Sequence, residues 1–66
     1  MNYEKIYSVL HIGKNLLIVG FNQSDKWQFR AVTKEGEIVK EVANFNTPEE
    51  AEKTGKSWIE SNLPLD

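Results

Sequence analysis

The amino-acid sequence predicts an α+β domain: an antiparallel sheet of three to four strands, in the order β-β-β-β-α, with one C-terminal helix packed on one face. Three observations carry this expectation. Segments rich in β-branched and aromatic residues are separated by short turn signals. Lys26 to Thr33 alternates: Trp27, Phe29 and Ala31 point one way, while Gln28, Arg30 and Val32 point the other. The third is Thr47-Pro48-Glu49-Glu50, which opens a helix. Thr47 can cap the free amides, Pro48 suits the first helical position, and Glu50 completes a capping box.

The elements follow in order. Residues 5–12 (Lys-Ile-Tyr-Ser-Val-Leu-His-Ile) favour a strand, although Tyr3, Ile6, Tyr7 and Leu10 also fall at helical spacing. Gly13-Lys14-Asn15 is a turn, and Leu16 to Phe21 is a strand. Asn22-Gln23-Ser24-Asp25 is turn chemistry, because short polar side chains bond their own backbone there. After Lys26 to Thr33, Lys34-Glu35-Gly36 is a hairpin loop with glycine third, suited to the left-handed position. Glu37 to about Phe45 is the last strand. Its doubled apolar pairs, Ile38-Val39 and Val42-Ala43, predict a bulge or a twisted edge. The helix runs from Pro48 to about Ser61 with the stripe Ala51, Gly55, Trp58 and Ile59, and Leu63 just beyond. A mid-helix glycine costs about 1 kcal/mol against alanine, so Gly55 predicts close approach of helix to sheet.

Size and charge bound the function. Sixty-six residues form one domain (1–66) with one small core. There is no cysteine and a single histidine, His11, so neither a disulfide nor a structural metal site is expected, and no cofactor. Association with a copy of itself or a partner is the remaining way to add stability. Met1-Asn2-Tyr3-Glu4-Lys5 leads into no apolar signal segment, and no run is long enough for a membrane span. A cytoplasmic protein is the expectation. The net charge is −2, with the excess acid in the second half, which works against nucleic-acid binding.

Candidate chemistry is sparse. Thr54-Gly55-Lys56-Ser57 has the ending of a phosphate-binding loop, but Glu50 stands where the first glycine belongs and the segment lies inside a helix. Glu49, Glu50 and Glu52 are accounted for by the helix start. His11, Ser8 and Asp25 supply the residue types of a catalytic triad, which only geometry can establish, and no catalytic residue is assigned. The candidate partner or nucleic-acid-binding patch is Lys14, Lys26, Gln28, Arg30 and Lys34. The strand Leu16 to Phe21 is apolar at both parities, Leu16 and Ile18 on one side, Leu17, Val19 and Phe21 on the other. A strand apolar on both faces is usually covered on both, and one helix covers only one. Either the N-terminal segment folds over the second face, or a second copy or other partner does. Leu17, Val19 and Phe21 are the candidate association surface.

Trp27-Gln28-Phe29-Arg30-Ala31-Val32, then Glu35-Gly36-Glu37-Ile38-Val39, then Phe45 with Thr47, then Ala51-Glu52-Lys53 and Gly55, resembles the YegP-like family of small bacterial domains. The resemblance covers roughly residues 26–62 and departs at Thr54 and at the large Trp58. It implies the strands and helix, and no activity. The order Trp, strand, Gly turn, strand, Phe-x-Thr-x-x-Glu-Ala is also similar to the arm-binding domains of phage-type integrases. That likeness implies a sheet entering DNA with Gln28 and Arg30 at the contact, against which stand Glu35, Glu37 and Glu41. The function expected from these readings is a non-enzymatic binding or assembly module, a homodimer or a binder of a protein partner through the sheet. The alternative is a nucleic-acid-binding domain using Lys26, Gln28 and Arg30.

Overall fold

A computed structural model describes residues 3–65; Met1 and Asn2, part of the stretch read for a signal segment, and Asp66 lie outside them. The chain forms β1 (Lys5–Ile12), β2 (Asn15–Asn22), β3 (Lys26–Val32), β4 (Ile38–Phe45) and α1 (Pro48–Asn62). The four strands make one antiparallel sheet in the order β1-β2-β3-β4. Short loops dictate this meander, since each strand can only return beside the one before it. Residues 5–12 are strand: pairing with β2 outweighs their helical spacing.

The turns form as their chemistry dictates. Asn22 Oδ1 accepts from the Asp25 amide at 2.7 Å, and the Asn22 amide group donates to the Asp25 carboxylate. Gly36 takes a φ of +87°, and its amide donates to Thr33 O at 2.8 Å. Against β3, β4 carries two register shifts, at the two doubled apolar pairs; Asn44, with a φ of +70°, lies within the second.

Thr47 caps α1, its Oγ1 accepting from the Glu50 amide at 3.1 Å. The reciprocal bond of the capping box lands one residue earlier than expected: the amide that donates to Glu50 Oε1 is that of Asn46, not Thr47. Thr47→Ala should cost about 1 kcal/mol, lowering the thermal midpoint by roughly 4–8 °C for a chain of this size; calorimetry checks it.

The helix lies over β2 and β3. Ala51 and Ile59 are fully buried, and Leu17, Val19, Phe29 and Ala31 face them from the sheet. Gly55 makes the contact close: a Cβ there would sit 2.5 Å from Leu17 Cδ1 and 2.9 Å from Phe29 Cγ. This corrects the assignment of Leu17, Val19 and Phe21 as an association surface. Leu17 and Val19 are 0 % exposed beneath α1, and Phe21 packs at 5.1 Å on Trp27 at its margin. The physical reason is Gly55, which lets the helix seat on the side of β2 carrying Leu17. The parity of β2 exposed to the other side is Leu16 and Ile18.

Candidate association surface

Strand pairing lays out the face opposite α1 in rows. Val9, Ile18, Arg30 and Glu41 are cross-strand neighbours; so are His11, Leu16, Val32 and Ile38; so are Ile6, Gly20 and Gln28. The face is not uniform. Around Gly20, Tyr3 lies on it: the ring occupies the space a residue-20 side chain would fill, with Tyr3 Cγ and Cδ2 at 2.6 Å from a Cβ built there. The Arg30 guanidinium stacks over the same ring, 4.8 Å from its centroid, and its Nε donates to Glu41 Oε2 at 2.9 Å. The N-terminal segment therefore covers part of the second face, one of the two alternatives left open by the apolar parity of β2.

Elsewhere the face stays open. Ile6 is 56 % exposed, Val9 54 % and Ile38 50 %, with Leu16 and Ile18 half-buried between them. Ile6 and Val9 stand on β1 at the margin of this face, while Tyr7 between them turns to the helix side, its ring edge-on to Trp27 at 6.0 Å and its hydroxyl donating to Glu49.

The five residues of the predicted basic patch do not form one surface. Lys14 and Lys34 come together at one end of the sheet, lining a cavity of about 170 Å³ beside Pro64. Lys26 stands at the other end of β2, paired with Asn22. Gln28, between them, is 1 % exposed, and Arg30 is engaged by Glu41 and Tyr3. His11, Ser8 and Asp25 are likewise separated. His11 stands on the open face; Ser8, on the helix side, donates to Glu52 at 2.7 Å; Asp25 is in the loop at the far end of β2. Gly55 and Lys56 are interior to α1, where Gly55 serves packing. No protein-family model, no curated protein and no solved structure matches the chain at a significant level. Among the described residues, no three or more Asp, Glu or His gather where they could hold a metal ion, and no helix is long and apolar enough to cross a membrane.

Two polar atoms, Tyr3 Oη and Gln28 Nε2, are buried without a hydrogen-bond partner among the described residues. Burial pushes the Tyr3 phenol above its ordinary 10.0; Arg30 pulls it down and Glu41 pushes it up. A buried hydroxyl with no partner costs roughly 1–3 kcal/mol, so Tyr3→Phe should leave stability unchanged or raise it by about 1 kcal/mol in chemical denaturation. The sign of the pH effect follows from the raised value. The folded state holds the phenol proton more tightly, so that part of the stability is whole below pH 10 and falls as pH rises past it. The variant should lose that part of the alkaline decline and keep the part from Tyr7, which Glu49 also pushes up. Tyr3 and Gly20 were not among the residues singled out from sequence. The available signal was a glycine inside an apolar strand, which marks close approach of another group.

Proposed function

We propose that this domain is a non-enzymatic binding and assembly module that associates through its sheet, with a second copy of itself as the first partner. The reading rests on one observation: Ile6 and Val9, each more than half exposed, stand at the β1 margin of a sheet face that carries Leu16, Ile18 and Ile38 beside them. Small domains without disulfides or metals commonly gain stability by association, and this chain contains no cysteine. The acids are drawn into other work, Glu50 at the helix start, Glu49 and Glu52 with Tyr7 and Ser8, Glu41 with Arg30. Residues 6–12 themselves contain no carboxylate or ammonium, and the Glu49 and Glu52 carboxylates beside Tyr7 and Ser8 belong to the helix side rather than the open face. Sedimentation velocity from micromolar to millimolar concentration tests the proposal. A concentration-dependent shift to dimer is expected; a strict monomer throughout overturns self-association.

A further inference from the structure

The sheet has two edges, and they differ. On β4, two register shifts and a left-handed Asn44 break the row of backbone groups, and Lys40 and Glu41 place charge at its centre. Bulges and charges of this kind are how natural sheets blunt an edge. On β1 the irregularity is confined to Tyr7. From Ser8 to Ile12 the strand pairs residue for residue with β2, from Ser8 against Val19 to Ile12 against Asn15. That stretch contains no proline, lysine or acid. Among the described residues no strand pairs with its outer side, whose amides and carbonyls are a template for another strand. The helix meets this stretch at Ser8, whose hydroxyl donates to Glu52 at 2.7 Å, while its buried residues pack over β2 and β3.

We infer that β1 pairs antiparallel with β1 of a second copy about a twofold axis near Leu10, joining two four-stranded sheets into one. This rests on the self-association proposed above and specifies its seam. The segment is self-complementary. Ser8, Leu10 and Ile12 share the helix side, and Val9 and His11 share the open side. Pairing about Leu10 therefore keeps every side chain on its own face: Leu10 meets Leu10, Val9 of one copy meets His11 of the other, and Ser8 meets Ile12. Leu10 already packs against the core of its own chain, so the seam extends two cores toward each other. A twofold contact uses the same patch on both copies, which the uncharged, evenly paired stretch from Ser8 to Ile12 satisfies and the twice-shifted β4 does not.

Amide hydrogen exchange on the intact protein, at low and high concentration, tests the seam. In an antiparallel edge strand, alternate amides point away from the sheet. Where roughly nine-tenths of the chains are paired, the outward amides among residues 8–12 should slow about tenfold, because they exchange only from the free tenth. A dimer whose outward β1 amides exchange at the monomer rate overturns the seam and leaves association through the open face standing. A chain that never dimerises overturns both.

Discussion

Gly55→Val should destabilise the domain by about 3 kcal/mol and lower its thermal midpoint by 10 °C or more, at roughly 4–8 °C per kcal/mol. Helix propensity alone gives the opposite sign, since glycine in a helix interior costs about 1 kcal/mol relative to alanine. The packing decides. A Cβ at residue 55 would meet Leu17 Cδ1 at 2.5 Å and Phe29 Cγ and Cδ1 at 2.9 and 3.0 Å. Both neighbours are among the largest fully buried side chains of the core, so neither can swing into solvent. Valine adds two further methyl groups, and the helix must lift from β2 and β3 to admit them. For a chain of this size the total stability is about 3–10 kcal/mol, so the loss takes a large part of it. Gly55→Ala grades the effect: up to about 1 kcal/mol gained from propensity against roughly 1–3 kcal/mol lost to overpacking. Urea denaturation of both variants measures it, and an alanine variant more stable than the parent contradicts the close docking.

Leu17→Lys and Val9→Lys should give opposite results, although both replace an aliphatic residue in neighbouring strands. Leu17 is 0 % exposed beneath α1. Removing it costs about 2–5 kcal/mol in lost packing, and a buried ammonium without a partner adds several more. The sum reaches the whole stability of the domain, and circular dichroism should report an unfolded chain. Val9 stands on the other face, more than half exposed, so the lysine there reaches water and the fold persists with a change of about 0.5 kcal/mol. Association is what Val9→Lys should remove. In a twofold contact the charge enters twice at one seam, and lysine on an edge strand is how proteins oppose such pairing. Dimerisation weakened at least tenfold, about 1.4 kcal/mol, is the expected readout in sedimentation.

Much of this architecture was legible in the residues, and the limits have physical causes. Thr47-Pro48 marks a helix start because capping is local chemistry, and the doubled apolar pairs of β4 mark bulges because a strand's side chains alternate. Gly55 correctly implied close helix–sheet approach. The side of β2 that receives the helix was not legible. Leu16 and Ile18 are as apolar as Leu17 and Val19, so local pattern cannot choose between the parities. The choice is made at long range, where Gly55 meets Leu17 and Phe29. The basic patch failed to assemble for a similar reason. Alternation placed Gln28 and Arg30 on one face, as found, but it carries no information on Tyr3, some twenty-five residues away, which stacks with Arg30. The triad residues illustrate the same limit, since Ser8 and His11 lie on opposite faces of one strand.

The proposed association covers the sheet where Ile6 and Val9 stand open. Methyl NMR with a soluble paramagnetic probe, on the unmodified chain at low and high concentration, tests it most directly. The methyl groups of Ile6 and Val9 should lose contact with the probe as concentration rises, while Leu17 and Ile59, already buried under α1, should not change. Undiminished access of the probe to Ile6 and Val9 at the highest concentration, or protection confined to the outer face of α1, would contradict it.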